Sequence, residues 1–315
     1  MKKWLLMSGA IAIIGSIYIF IPAKLTISKT IIGNCSIAAA NRYFSDTSKW
    51  IKWWPQNTEG IFTSAGRDTS FIHNGYAYKI TGVFYNNVRI CIQCTDDCNI
   101  NSNLRIVQLS KDSVLIGWEC NLPTGNNPLK KIIAYRHRKE IEENMEAIMK
   151  SFASFIEEPA NIYGVNFHQT LSKDSTLVTL TGVTTAYPTT AYIYQLIDSL
   201  KKYITSQGAK EINYPMLNVS KLNDTQFKTM VAISVNKALE GNNKIIIKRF
   251  VPWKMIEGDV HGGTHSVDKA FEQLFNFRDD NHISIMAIPF QSLITDRSKE
   301  QDTTKWITKV CAPIS

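Results

Sequence analysis

The chain closes on Trp306-Ile307-Thr308-Lys309-Val310-Cys311-Ala312-Pro313-Ile314, reached from Asp296-Arg297 through a short charged loop. Asp296 suits the start of a turn, because its carboxylate can accept from backbone N–H groups just downstream. The stretch after it reads as an alternating strand, opened by a tryptophan and ended by Pro-Ile. A closing strand of this kind needs partners, and the residues before it supply them.

Upstream, about 160–315, one pattern occurs twice. Leu177-Val178-Thr179-Leu180-Thr181-Gly182-Val183 is a strand. A helix from about Thr189 to Gln207 places Ile193, Leu196, Ile197, Leu200 and Ile204 on one face, and Gly208 ends it. Strands follow near 213–219 and 227–235. A strand at about 244–260, a helix over 266–276 and strands near 282–290 and 305–311 then repeat the order. Each copy reads strand–helix–strand–strand. Neither could bury its sheet face alone, so the copies should pack as one domain. His261-Gly262-Gly263-Thr264 is a tight bend into the second helix, with Ser266 or Thr264 as its cap.

The earlier part differs. Leu25 to Ile32 alternates as a strand should, and Ser36 can cap a helix through Ile37, Ala40, Tyr43 and Phe44. Ser48-Lys49-Trp50-Ile51-Lys52-Trp53-Trp54-Pro55 follows. Short alternating segments fill about 60–120, with turn signals at Asn74-Gly75 and Asn86-Asn87. From His137 to Glu158, Ile141, Met145, Ile148, Phe152 and Phe155 form one helical stripe. Pro159 marks the boundary. The expected divisions are 1–24, 25–158 and 159–315, and the fold class is α+β.

Two family resemblances fit this order. Residues 26–158, with the Trp-rich segment at 48–55, resemble the START-related (polyketide cyclase/dehydrase-like, SRPBCC) superfamily, which implies a helix-grip domain. The duplication, the glycine-bearing turn at 261–264 and the closing Trp306 strand resemble a gyrase-inhibitor-like effector-binding domain, the ligand-sensing module of bacterial multidrug-responsive regulators. That resemblance implies a groove lined by aromatics, with an acid on an inner strand for cationic ligands. The matching strand, Ile288 to Leu293, places Gln291 at the expected position. Glutamine carries no charge, which puts cation binding in doubt, and Glu257 on a neighbouring strand is the substitute.

Composition sets bounds. The 315 residues carry 44% hydrophobic and 20% charged side chains, ordinary for folded domains. The net charge of +8 is spread, with 18 basic against 13 acidic residues through 158 and 17 against 14 after it. Without a basic stripe, nucleic acid is not an expected partner. Trp4 to Pro22 is uncharged and, as a helix, would span about 28 Å, close to a bilayer core. Lys2 and Lys3 precede it, so the preferred expectation is a single-pass inner-membrane anchor with the rest outside the cytoplasm; a cleaved signal peptide is the alternative.

Chemistry-bearing motifs are few. No G-x-S-x-G elbow, P-loop, G-x-G-x-x-G or H-E-x-x-H occurs, and no cofactor is implied. Cys91-x2-Cys94-x3-Cys98 with Cys120 leaves a metal cluster, a disulfide or free thiols open, though it lacks the second paired knuckle of zinc sites. The ligand-binding candidates in the second domain are Tyr187, Trp253, Glu257, Phe290, Gln291 and Trp306. In the first they are Trp50, Trp54 and Trp118. The expected function is noncatalytic binding or sensing of a small apolar or amphipathic molecule, with a protein partner if it senses. Hydrolysis of a reactive small molecule and a protein-binding scaffold are the alternatives.

Overall fold

A computed structural model describes residues 15, 16, 18, 21–55, 70–94, 98–124, 127–172, 175–250 and 252–315. It has the expected α+β class, with two antiparallel sheets divided between a unit ending at Glu158 and a unit Pro159–Ser315. Among the described residues no helix is long and apolar enough to cross a membrane. The single-pass membrane placement is therefore corrected. Most of the Trp4–Pro22 stretch that prompted it lies outside the described residues.

The first unit runs β1 (Lys24–Gly33), α1 (Ile37–Phe44), a 3-10 turn (Thr47–Lys52), β2 (Ser70–His73), β3 (Tyr76–Phe84), β4 (Asn87–Cys94), β5 (Cys98–Ser110), β6 (Ser113–Pro123) and α2 (Pro128–Glu157). The strands lie in the order β1-β6-β5-β4-β3-β2, and α2 packs along β1 and β6 in a helix-grip arrangement. Ser36 Oγ accepts from the Ala39 N–H at 3.3 Å and starts α1. The long helix begins nine residues before the expected His137, because Asn127 caps it and Pro128 occupies its first turn. Leu129, Ile132, Ile133 and Tyr135 are exposed there while Lys131 and Ala134 are buried, so that end shows no stripe of large apolar residues for a periodicity argument to find. Further along, Ile141, Met145, Ile148 and Phe152 are buried.

The second unit runs α3 (Pro159–Tyr163), β7 (His168–Leu171), β8 (Ser175–Thr184), α4 (Thr190–Ser206), β9 (Met216–Asn223), β10 (Gln226–Val235), β11 (Ile245–Phe250), β12 (Lys254–His261), α5 (Thr264–Asp280), β13 (Phe290–Leu293) and β14 (Ile307–Ile314). Its eight-stranded sheet has the order β11-β8-β10-β9-β13-β14-β12-β7. The two copies are β8-α4-β9-β10 and β12-α5-β13-β14. They meet where Leu217 pairs with Gln291 and Met216 with Ser292.

Three details depart from expectation. The strand read at 244–260 is two, β11 and β12. Pro252 between them has no N–H to give a ladder. The edge strand β7 is only four residues long and carries no alternating burial to reveal it. The cap of α5 is Gly263, with no side-chain bond from Ser266 or Thr264; Gly262, at φ 114°, makes the bend that an L side chain would resist.

Candidate functional site

Side-chain alternation divides the eight-stranded sheet into two faces. On the helix side, Val178, Val231, Ile233, Leu217 and Leu293 form a core with Ile193, Ile197 and Leu200 of α4. On the opposite face, Leu177, Met216 and Ala232 form a smaller cluster with Phe290 packed against it. The register carries this face across the sheet. Thr179 pairs with Ala232, Ala232 with Met216, Met216 with Ser292, Ser292 with Lys309, and Phe290 and Glu257 both with Cys311. A β13–β14–β12 row of Phe290, Cys311 and Glu257 therefore looks the same way as the Met216–Ala232 floor.

Two adjoining depressions open on this face and share Met216 and Phe290. One, of about 190 Å³, is a trough whose walls include Leu177, Met230, Ala232, Ile288 and Pro313. The other, of about 360 Å³, holds Glu257, Lys309, Cys311, Ser292 and Tyr214. The face is thus almost wholly apolar at one end, and at the other Leu171, Met255 and Ile294 are mixed with the charged and polar groups.

The polar end is built around Glu257. Its Oε1 accepts from Lys309 Nζ at 2.7 Å and lies 3.2 Å from His168 Nε2. Partial burial works against the Lys309 charge, but the bond and charge of Glu257 overcome it and hold the ammonium above the usual lysine value. Burial pushes the Cys311 thiol well up, with the negative charge of Glu257 adding to it. Cys311 is therefore a protonated, inert thiol at neutral pH.

Of the sequence-derived candidates, Glu257 and Phe290 line these depressions. Gln291 does not: it pairs with Val310 on the helix-side parity and lies 3.4 Å from Arg297 Nη2. Its backbone neighbours Phe290 and Ser292 take the groove face instead, and the acid lining the two depressions is Glu257. Trp306 is on the helix side too. Its Nε1 donates to Glu300 O at 2.9 Å and its ring carries the Arg297 guanidinium at 4.7 Å. Arg297 is 8% exposed and has no carboxylate partner among the described residues; burial lowers its pKa. Tyr187 packs edge-on against Phe227, and burial, followed by the Asp268 charge, raises its pKa. Trp253 is half-buried at the β12 edge, where its backbone N–H donates to Ser172 Oγ at 2.8 Å.

In the first unit Trp50, Trp54 and Trp118 are core. Trp50 contacts Phe44, Trp53, Trp54 and Phe71, and Tyr78 packs on both Trp54 and Trp118. Each indole N–H is satisfied, to Phe44 O, Ile72 O and Ser102 Oγ respectively. Cys91, Cys120 and Cys311 are free thiols. Among the described residues no group of three or more potential ligands could hold a metal.

Lys309, His168, Met216, Ala232 and Lys248 were missed by the sequence reading. Strand parity alone could have placed Lys309 with Cys311. Nothing local marks His168, which reaches Glu257 only because β7 adds to the sheet edge.

No family model matches the chain, and no curated protein matches it. Similar solved structures include the EcmrR C-terminal domain, at 15% identity and TM-score 0.42, covering 48% of this chain and 98% of that one. SAV2435 bound to tetraphenylphosphonium is similar at 14% identity and TM-score 0.31, covering 47% and 93%. The ZhuI aromatase/cyclase from Streptomyces sp. R1128 is similar at 9% identity and TM-score 0.34, covering 44% and 96%. At these identities and scores they carry no statement about ligand or activity.

Proposed function

We propose that the second unit binds a small amphipathic molecule, without chemistry, on the helix-free face of its sheet. The observation that carries this reading is the continuity of an apolar trough and a polar depression across Met216 and Phe290. Apolar surface buried there supplies affinity at roughly 25 cal/mol per Å², and the polar end orients the ligand. A hydrolytic role would need a poised base. Glu257 is the acid in place, and one of its oxygens is already engaged by Lys309 and His168.

The test is native mass spectrometry of the protein incubated with a mixed set of short-chain amphiphiles, alongside Ala232→Trp. The indole would fill the trough floor without touching the Glu257 end. Discrete adducts that vanish in Ala232→Trp are expected. Absence of any adduct, or adducts unchanged by the filling substitution, would refute a ligand site on this face.

A further inference from the structure

The charge around the trough identifies the class of molecule it takes. Its lining is apolar except for Thr179, Asn218 and Lys248. No acidic residue lines it. Lys248 projects from β11, where it pairs with Leu177 across the ladder, so its parity is that of the trough floor. Lys248 is exposed and has neither hydrogen bond nor ion pair among the described residues. It also borders a further depression that includes Lys237 and Arg249. The acid at the far end, Glu257, is already neutralised by Lys309. The uncompensated charge at the trough is therefore positive.

We infer that the ligand is an anionic amphiphile, an aliphatic carboxylate or a molecule of the same chemistry. Its tail lies over Met216, Ala232 and Phe290, and its head pairs with Lys248. This rests on the ligand-binding reading above and sets its charge. A lipophilic cation entering the trough would face Lys248 and no acid there, and the acid of the adjoining depression, Glu257, is already held by Lys309. A carboxylate breaks no existing pair. The apolar wall beside Lys248 excludes water from one side of the contact, which makes a charge-assisted bond stronger than an open surface pair.

Isothermal titration of the full chain with decanoate, decyltrimethylammonium and decanol, below their micelle concentrations at neutral pH, separates head charge from tail. Decanoate is expected to bind about tenfold more tightly than decyltrimethylammonium, the order of one charge-assisted bond. Lys248→Glu should remove that preference or reverse it. Lys248→Gln should weaken decanoate about tenfold while leaving decanol unchanged. Lys248 is exposed, so both variants should keep the native circular dichroism. Equal or tighter binding of the cation, or decanoate binding indifferent to both substitutions, overturns the inference. If decanol and the cation bind and Ala232→Trp abolishes that binding, the ligand-binding reading survives such a result. If none of the three binds, the ligand-binding reading falls as well.

Discussion

The Glu257–Lys309 pair should contribute more than a surface ion pair does, and the amount follows from its geometry. The charged atoms are 2.7 Å apart, and their side chains are only 16% and 28% exposed. At an effective dielectric near 20, unit charges at that distance attract by about 6 kcal/mol. Desolvation of both groups and residual solvent contact remove most of this. A coupling of about 1–3 kcal/mol remains, above the roughly 0.2–1 kcal/mol of exposed pairs. The elevated Lys309 pKa fixes the sign of the pH dependence. Stability from this pair is fully present below about 10.5, the ordinary lysine value, and is lost as pH rises through the folded-state value. A double-mutant cycle of Glu257→Gln and Lys309→Met, read by urea unfolding at pH 7 and again above pH 11, measures the coupling. Each single substitution should destabilise at pH 7, and the second should add little to the first. A coupling below about 0.5 kcal/mol at pH 7, or one that does not shrink at alkaline pH, would refute the reasoning.

Three further outcomes are expected. Trp50→Ala should cost about 3–5 kcal/mol in urea unfolding, because it empties the centre of an aromatic cluster and frees the Phe44 carbonyl. Gly258→Ala should cost about 1–3 kcal/mol in the same assay, since its Cβ would meet Val165 Cγ1 at 2.6 Å and Phe167 Cδ1 at 2.8 Å. Native alkylation at pH 8, read by peptide mass spectrometry, should label Cys91 but spare Cys120 and Cys311. Burial pushes the Cys120 thiol to about 12 and the Cys311 thiol up as well. Since both folded values exceed the ordinary thiol value, their stability contribution is present below about pH 9 and declines above it.

Much of the architecture is legible because it rests on period and punctuation. The α4 stripe, Gly208 and the Pro159 boundary are local signals, and the duplication follows once both helices are seen. The start of α2 is not legible, since its first turns bury little. The candidate site is harder still. Trp50, Trp54 and Trp118 are large and amphipathic, and sequence alone does not distinguish a wall from a core; their satisfied N–H groups do. Gln291 illustrates a different limit. The resemblance pointed to the strand Ile288 to Leu293, but one residue of offset turns a side chain to the opposite face.

That offset bears on what the site can recognise. Had an acid stood at position 291, the register would direct it toward Arg297, Thr308 and the helices, not toward the trough. Arg297 is a buried cation with no carboxylate partner among the described residues, held by the Trp306 ring and the Thr308 hydroxyl. An acid at 291 would complete an internal pair with it and leave the ligand face unchanged. The charged residues lining its two depressions are instead Glu257, Lys309 and Lys248, on β12, β14 and β11, with Asp259 opposite Lys309 beyond them. The first two cancel in place. Selectivity by charge therefore passes to Lys248, on a strand outside the duplicated elements.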